Sequence, residues 1–322
     1  MKRSISAGLA AVLIILFLPI SARAAEMLVP VGKIVGLQLR SGSVTIAAYD
    51  EELGTLAKNA GLRVGDEILT VDGTQVRTAA DVRNALDNCG GVLSVTVRRG
   101  VRQETIQLNP QETSQGYRLG VYLRQGIAGI GTVTWYDPAT GKFGALGHGV
   151  NDSSGCLLQM TQGSAYNAEI LSVKKGRSGS PGQLKGAAAG NQVLGELYRN
   201  TPQGIFGIAG SPLPGQAVPV ASQEELHTGP AVIRSTVAGN TPRDYSVEIL
   251  KIYPCDRADG RNLLLHVTDP ALLDTTGGIV QGMSGSPILQ DGKLIGAVTH
   301  VLVGDPTTGY GIFIDNMLDA AA

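Results

Sequence analysis

The hexapeptide Gly282-Met283-Ser284-Gly285-Ser286-Pro287 carries the sharpest chemical signal in the chain. Flanking glycines let a backbone turn tightly with a serine side chain outward, and they leave room for a substrate oxyanion to meet main-chain N–H groups. A serine so presented can act as the nucleophile of acyl transfer. The same residue types are ordinary turn formers, and Gly176-Arg177-Ser178-Gly179-Ser180-Pro181 repeats the pattern, so the motif alone does not choose between Ser284 and Ser178. A serine hydroxyl also needs a base. The chain offers His148, His227, His266 and His300. His148 ends an apolar run between two glycines, Gly147 and Gly149, where a ring can project from a corner without steric cost. His300 follows a strand-like run just after the serine motif and is its rival. His227 lies in a polar loop, and His266 sits on an alternating strand-like run as a face or core residue.

A third group, a buried carboxylate, fixes the imidazole tautomer and supports its positive charge. Asp152, Asp269, Asp274 and Asp305 are candidates, and Asp269 is preferred because it closes a strand-like run 15 residues before Ser284. Asp269-Pro270 is also a common turn opening.

These residues sit among short strand-like runs punctuated by glycine, at 129–136, 167–173, 232–238, 246–253, 263–268, 294–303 and 310–314. With 44 glycines and 14 aromatic residues in 322, short strands and tight turns are favoured over long helices, and many strands in one region suggest barrels or a sandwich. Residues 29–109 differ: strand-like 34–39 and 43–48, a short helix closed by Gly61, an Asp72-Gly73 turn, a helix from Thr78 with Asp81 as capping partner, and a final hairpin around Arg99-Gly100. A polar linker to Gly116 separates the two regions.

Charge and cysteine use narrow the functional classes. Lys plus Arg number 26 against 27 for Asp plus Glu, so no bulk field draws the protein to nucleic acid or to an anionic bilayer. Cys89, Cys156 and Cys255 form no metal-ligand spacing and read as small buried hydrophobes; no metal or other cofactor is expected. Lys2 and Arg3 precede an uncharged apolar stretch ending at Ala22-Arg23-Ala24, which marks residues 1–24 as a cleaved signal peptide or an uncut membrane anchor and the chain as exported.

Three resemblances sharpen the expectation. Asn59-Ala60-Gly61-Leu62, Gly65-Asp66, Ile68, Val71-Asp72-Gly73 and the following helix resemble a PDZ domain. The resemblance implies capture of a peptide C-terminus by Ile34, Val35, Gly36 and Leu37, in a groove against the helix at 78–88. The serine motif resembles the nucleophile loop of chymotrypsin-like peptidases, which selects Ser284 over Ser286 and implies an oxyanion hole from the N–H groups of Gly282 and Ser284. Together with Gly147-His148-Gly149, Thr268-Asp269-Pro270 and the run 275–281, the chain resembles the stage IV sporulation protein B peptidase family. That likeness implies a mainly β protein: an α+β PDZ-like domain at 29–109, then a chymotrypsin-like double β-barrel at 117–322. It implies Ser284, His148 and Asp269 as catalytic residues. It also implies export across the forespore membrane, self-cleavage, and cleavage of a regulator of the intramembrane protease that activates the late mother-cell sigma factor. An exported PDZ adaptor with an inactive barrel is the alternative, and a structural envelope protein a more distant one.

Overall fold

A computed structural model describes residues 26–114, 116–152, 155–253 and 260–322. The leader at 1–24 and Cys255 lie outside the described residues. The fold is mainly β, with two six-stranded barrels side by side and an α+β module inserted in the first.

The second barrel is closed, in the order Gly229–Ser235, Arg243–Ile252, Leu263–Val267, Asp305–Phe313, Lys293–Leu302 and Pro287–Gln290. Its sequence alternates as a barrel wall must: in Arg243–Ile252 the buried positions are Tyr245, Val247 and Ile249, with exposed neighbours between them. Those side chains meet Ile233, Leu263, Leu265, Ile288 and Val298 in one core. The first barrel runs Ile34–Ser41, Met160–Lys174, Gln183–Thr201, Gly204–Ala209, Lys142–Ala145 and Ile127–Tyr136. Pairing of the last two with each other and of Ile127–Tyr136 with Ile34–Ser41 closes the ring. The C-terminal helix Ile314–Ala321 packs Ile314 and Met317 against Trp135 and Phe206 of the first barrel and Leu294 of the second, joining the two.

The inserted module has a sheet in the order Val121–Arg124, Val44–Tyr49, Glu67–Val71, Leu93–Arg99 and Arg102–Leu108. Helices Gly54–Ala60 and Ala79–Asp87 cover its core of Val44, Ile46, Ile68, Val82 and Val95. The expected capping box at Thr78 and Asp81 is formed, with Asp81 N–H donating to Thr78 Oγ1 at 3.1 Å and Thr78 N–H to the Asp81 carboxylate at 2.8 Å.

Two expectations are corrected. Strand Ile34–Ser41 belongs to the first barrel and not to the PDZ-like module, because Ile127–Tyr136 pairs with one of its edges and Met160–Lys174 with the other. Ile34, Val35, Gly36 and Leu37 therefore have no free edge on which a peptide could add as a strand. The module's sheet instead ends at Val121–Arg124, beyond the expected boundary, and Gly116–Arg118 packs against helix Ala79–Asp87. Cys156 is exposed, whereas Cys89 packs partly buried against the module's core.

Candidate active site

Ser284 lies in the loop between helix Pro270–Thr276 and strand Pro287–Gln290, where the barrels meet. The loop is fastened to the first barrel through Thr132, which is fully buried. Thr132 Oγ1 donates to the Gly282 carbonyl at 3.0 Å, and Thr132 N–H donates to the Ser284 carbonyl at 3.0 Å. Glycine is required at 285: φ is +94°, and a Cβ there would lie 2.1 Å from the Thr132 carbonyl oxygen. Gly282 has φ +101°.

The N–H groups of this loop are used selectively. Gln281 donates to the Gly182 carbonyl, Met283 to Val280, Gly285 to Val298 and Ser286 to Met283. Among the described residues, nothing accepts a hydrogen bond from the N–H of Gly282 or of Ser284. Two donors beside one serine hydroxyl can stabilise an oxyanion. The serines divide cleanly. Ser286 is fully buried and its hydroxyl is bound to Ser235 at 2.9 Å, whereas Ser284 borders a cavity. In this resting arrangement Ser284 Oγ donates to the Thr299 carbonyl at 2.9 Å.

His148 follows strand Lys142–Ala145 through two left-handed residues, Leu146 at φ +70° and Gly147 at φ +69°. A leucine in that region is strained. Leu146 is held there by burial, and Gly147 packs its backbone against Thr299 and Ile312 of the second barrel. The corner turns His148 into the cavity that Ser284 borders. That cavity has a volume of about 390 Å³ and aliphatic walls that include Leu37, Ile127, Ile130 and Val301. His148 Nδ1 lies 2.9 Å from the Gly149 carbonyl oxygen. A carbonyl only accepts, so Nδ1 carries the proton and Nε2 presents the lone pair. Desolvation holds the imidazole below the usual histidine range, partly offset by the bond to Gly149.

His300 also lines the cavity, its ring centroid 5.4 Å from that of His148. The remaining histidines lie elsewhere: His227 pairs with Asp291 and His266 faces Thr308. Ser178 is not in the cavity either. Its hydroxyl bonds the Gly304 carbonyl at 2.8 Å, and just beyond it Gly182 and Leu184 bond Gln281, so the second serine motif forms a hairpin tip braced against the Ser284 loop.

The structure does not bring Asp269 to His148. Its Oδ1 accepts from the N–H groups of Ala271 and Leu272 at 2.9 and 3.0 Å, and Oδ2 accepts from Ser246 N–H at 3.3 Å. Asp269 is the N-cap of the helix that leads to the Ser284 loop, with Pro270 at its first position. Asp274 pairs with Lys175, and Asp305 with Thr307 and Thr308; Asp152 accepts from Cys156 N–H. No carboxylate is among the residues described as lining the cavity. Two residues that sequence reasoning missed do touch this machinery. One is Thr132. The other is Asn200, whose Oδ1 accepts from Val150 N–H at 3.0 Å while Nδ2 donates to the carbonyls of Val150 at 2.8 Å and Leu158 at 3.0 Å. Among the described residues no cluster of three or more His, Cys, Asp or Glu side chains could hold a metal ion.

A PDZ domain model matches residues 49–99. Among solved structures, the active form of the Rv3671c protease from M. tuberculosis aligns with a TM-score of 0.38 and 14% identity, over 61% of this chain and 75% of that one. An inactive form of the Rv3671c protease gives 0.34 and 14%, over 59% and 82%. A segment of 83 residues is 36% identical to the Lactococcus lactis subsp. lactis (strain IL1403) protein named "Putative zinc metalloprotease LL2128", covering 24% of this chain and only 19% of that protein. The model described as SpoIVB peptidase S55 matches residues 115–318, well over half of the sequence and the whole stretch that holds both His148 and Ser284. The chain belongs to the SpoIVB peptidase S55 family and is a serine peptidase.

Proposed function

We propose that hydrolysis runs through Ser284 and His148. His148 Nε2 takes the Ser284 proton as Oγ leaves the Thr299 carbonyl and attacks a peptide carbonyl. The N–H groups of Gly282 and Ser284 receive the oxyanion. His148 then protonates the leaving amine, and water releases the acyl group. The observation that carries this reading is one cavity bordered by Ser284 and a neutral, Nδ1-protonated His148, beside two uncommitted N–H groups. The aliphatic walls favour an uncharged side chain at the scissile bond.

The finer reading is a sporulation endopeptidase that cleaves itself and a regulator of the intramembrane protease activating the late mother-cell sigma factor. Family membership supports it, as does the basic, then apolar leader at 1–24, which suits export across the forespore membrane with or without retention of a membrane anchor. The PDZ-like module regulates the peptidase by binding a C-terminal peptide. With 34–37 buried in the barrel, the edge suited to such a peptide is Val121–Arg124.

The test is purified full-length protein treated with a fluorophosphonate. Ser284 is expected to be labelled, and Ser284→Ala to abolish both labelling and self-cleavage while remaining folded, with only the small loss of melting temperature expected of its missing bond to the Thr299 carbonyl. Undiminished cleavage by Ser284→Ala would refute the nucleophile, and a folded but unlabelled parent protein would favour the inactive adaptor.

A further inference from the structure

The tautomer of His148 is set by a main-chain carbonyl, so something must hold that carbonyl. Gly149 lies between the histidine and Val150, and both hydrogen-bonding groups of Val150 are bound to one side chain. Asn200 accepts from its N–H at 3.0 Å and donates to its carbonyl at 2.8 Å. The second amide hydrogen of Asn200 goes to the Leu158 carbonyl at 3.0 Å, and Leu158 N–H returns to the Val150 carbonyl at 2.9 Å. Asn200 thus comes from strand Gln183–Thr201 and clamps the segment after His148 to the segment leading into Met160–Lys174. Gly149 is itself confined, since a Cβ there would lie 2.7 Å from the Thr201 carbonyl oxygen.

We propose that Asn200 is the positioning residue of the catalytic histidine: by fixing the Gly149–Val150 backbone it aims the Gly149 carbonyl at His148 Nδ1 and leaves Nε2 facing the serine. Asp269 acts separately, by capping the helix before the nucleophile loop. The inference rests on the assignment of His148 as base. It makes the side-chain type at 200 specific, because the station needs one acceptor and two donors. A carboxylate would keep the acceptor but set its charge against the carbonyls of Val150 and Leu158.

The experiment uses full-length protein, a fluorophosphonate probe and ¹⁵N-histidine NMR. In the parent protein, neutral His148 is expected as the Nδ1–H tautomer. Asn200→Ala is expected to lose that tautomer preference and to slow labelling of Ser284 by about 10²-fold, the scale of a misplacement of about 1 Å. Asn200→Asp is expected to be slowed at least as much. Asp269→Asn, which keeps a cap, should label within about twofold of the parent. The proposal is overturned if the parent shows the Nε2–H tautomer, a result that needs no variant to fold. It is also overturned if Asn200→Ala keeps both tautomer and rate, if Asn200→Asp is faster than the parent, or if folded Asp269→Asn falls by the roughly 10⁴-fold expected of a lost triad carboxylate. A parent with the Nδ1–H tautomer but no labelling of Ser284 would support the clamp and count against the nucleophile assignment instead.

Discussion

Thr132→Val removes one hydroxyl and keeps the shape, which isolates the bond that fastens the nucleophile loop to the first barrel. Thr132 is fully buried, and its Oγ1 donates to the Gly282 carbonyl at 3.0 Å. The donor is fully buried and the acceptor half-buried beside the cavity, so the cost is that of a lost hydrogen bond whose acceptor is left largely unpaired, about 1–3 kcal/mol. At roughly 2–4 °C per kcal/mol for a domain of this size, the melting transition of the peptidase unit should fall by about 2–12 °C. Activity should fall as well, because the Gly282 carbonyl shares a peptide plane with Met283 N–H, the fixed unit between the two uncommitted donors. Thr132→Ser separates the two effects. It deletes a methyl group, about 0.8 kcal/mol of burial, but keeps the hydroxyl, and it should retain the labelling rate. Thermal melts and fluorophosphonate labelling of the three proteins decide the matter. If Thr132→Val melts with the parent and labels at its rate, the loop does not depend on this bond and the reasoning fails.

Further outcomes follow from the same contacts. Asp269→Ala should cost about 1 kcal/mol through loss of the helix cap, and Asp269→Asn much less, since asparagine caps as well as aspartate; equal melting of the two variants would contradict the cap. Labelling of Ser284 should be flat at neutral pH and fall as pH drops through a midpoint below the ordinary histidine value, because burial lowers the pKa of His148 and only the neutral ring is a base. The sign for stability is the same. A histidine with its folded pKa depressed binds protons more readily when unfolded, so its contribution is present at neutral pH and is lost as pH falls below the unfolded value. A labelling midpoint at or above the ordinary histidine value would refute the burial argument. Gly182→Val would press a Cβ to 2.4 Å from Gly176 N and the Lys174 carbonyl, and should slow labelling by disturbing the hairpin that holds Gln281, whereas Ser178→Ala should stay within about twofold; kinetics of the two folded variants test the brace.

What could be read from the sequence was local. Gly282 and Gly285 mark the serine because the turn itself demands left-handed backbone, and Gly147 marks the histidine corner for the same reason. The capping box at Thr78 and Asp81 was legible in four residues. Asp269 carried a legible signal too, an Asp-Pro pair opening a helix, and the turn reading of that pair describes its bonds better than the role of catalytic acid. The parts that were not legible depend on distant pairing. Thr132 reaches Gly282 across 150 positions and Asn200 reaches Val150 across 50, with no spacing rule to announce either. Strand Ile34–Ser41 alternates as well in a PDZ sheet as in a barrel wall, and only its two partners decide between them.

The insertion point explains why the boundary was misplaced and why it matters for the chemistry. Strand Ile34–Ser41 leaves the first barrel, the PDZ-like module follows, and the chain re-enters at Ile127–Tyr136 beside the strand it left. The re-entry turn is tight: Gly126 has φ +121°, and a Cβ there would lie 2.0 Å from the Leu39 carbonyl oxygen. One residue before it, Gln125 bonds Arg77 and Ala79 at the start of the module's helix. Immediately after it, Ile127, Gly129 and Ile130 line the cavity of Ser284, and Thr132 holds the nucleophile loop. The free edge Val121–Arg124 is therefore separated by only Gln125 and Gly126 from the strand that lines the cavity of Ser284 and His148, so the module is joined to the peptidase unit at the wall of that cavity and not through a slack linker.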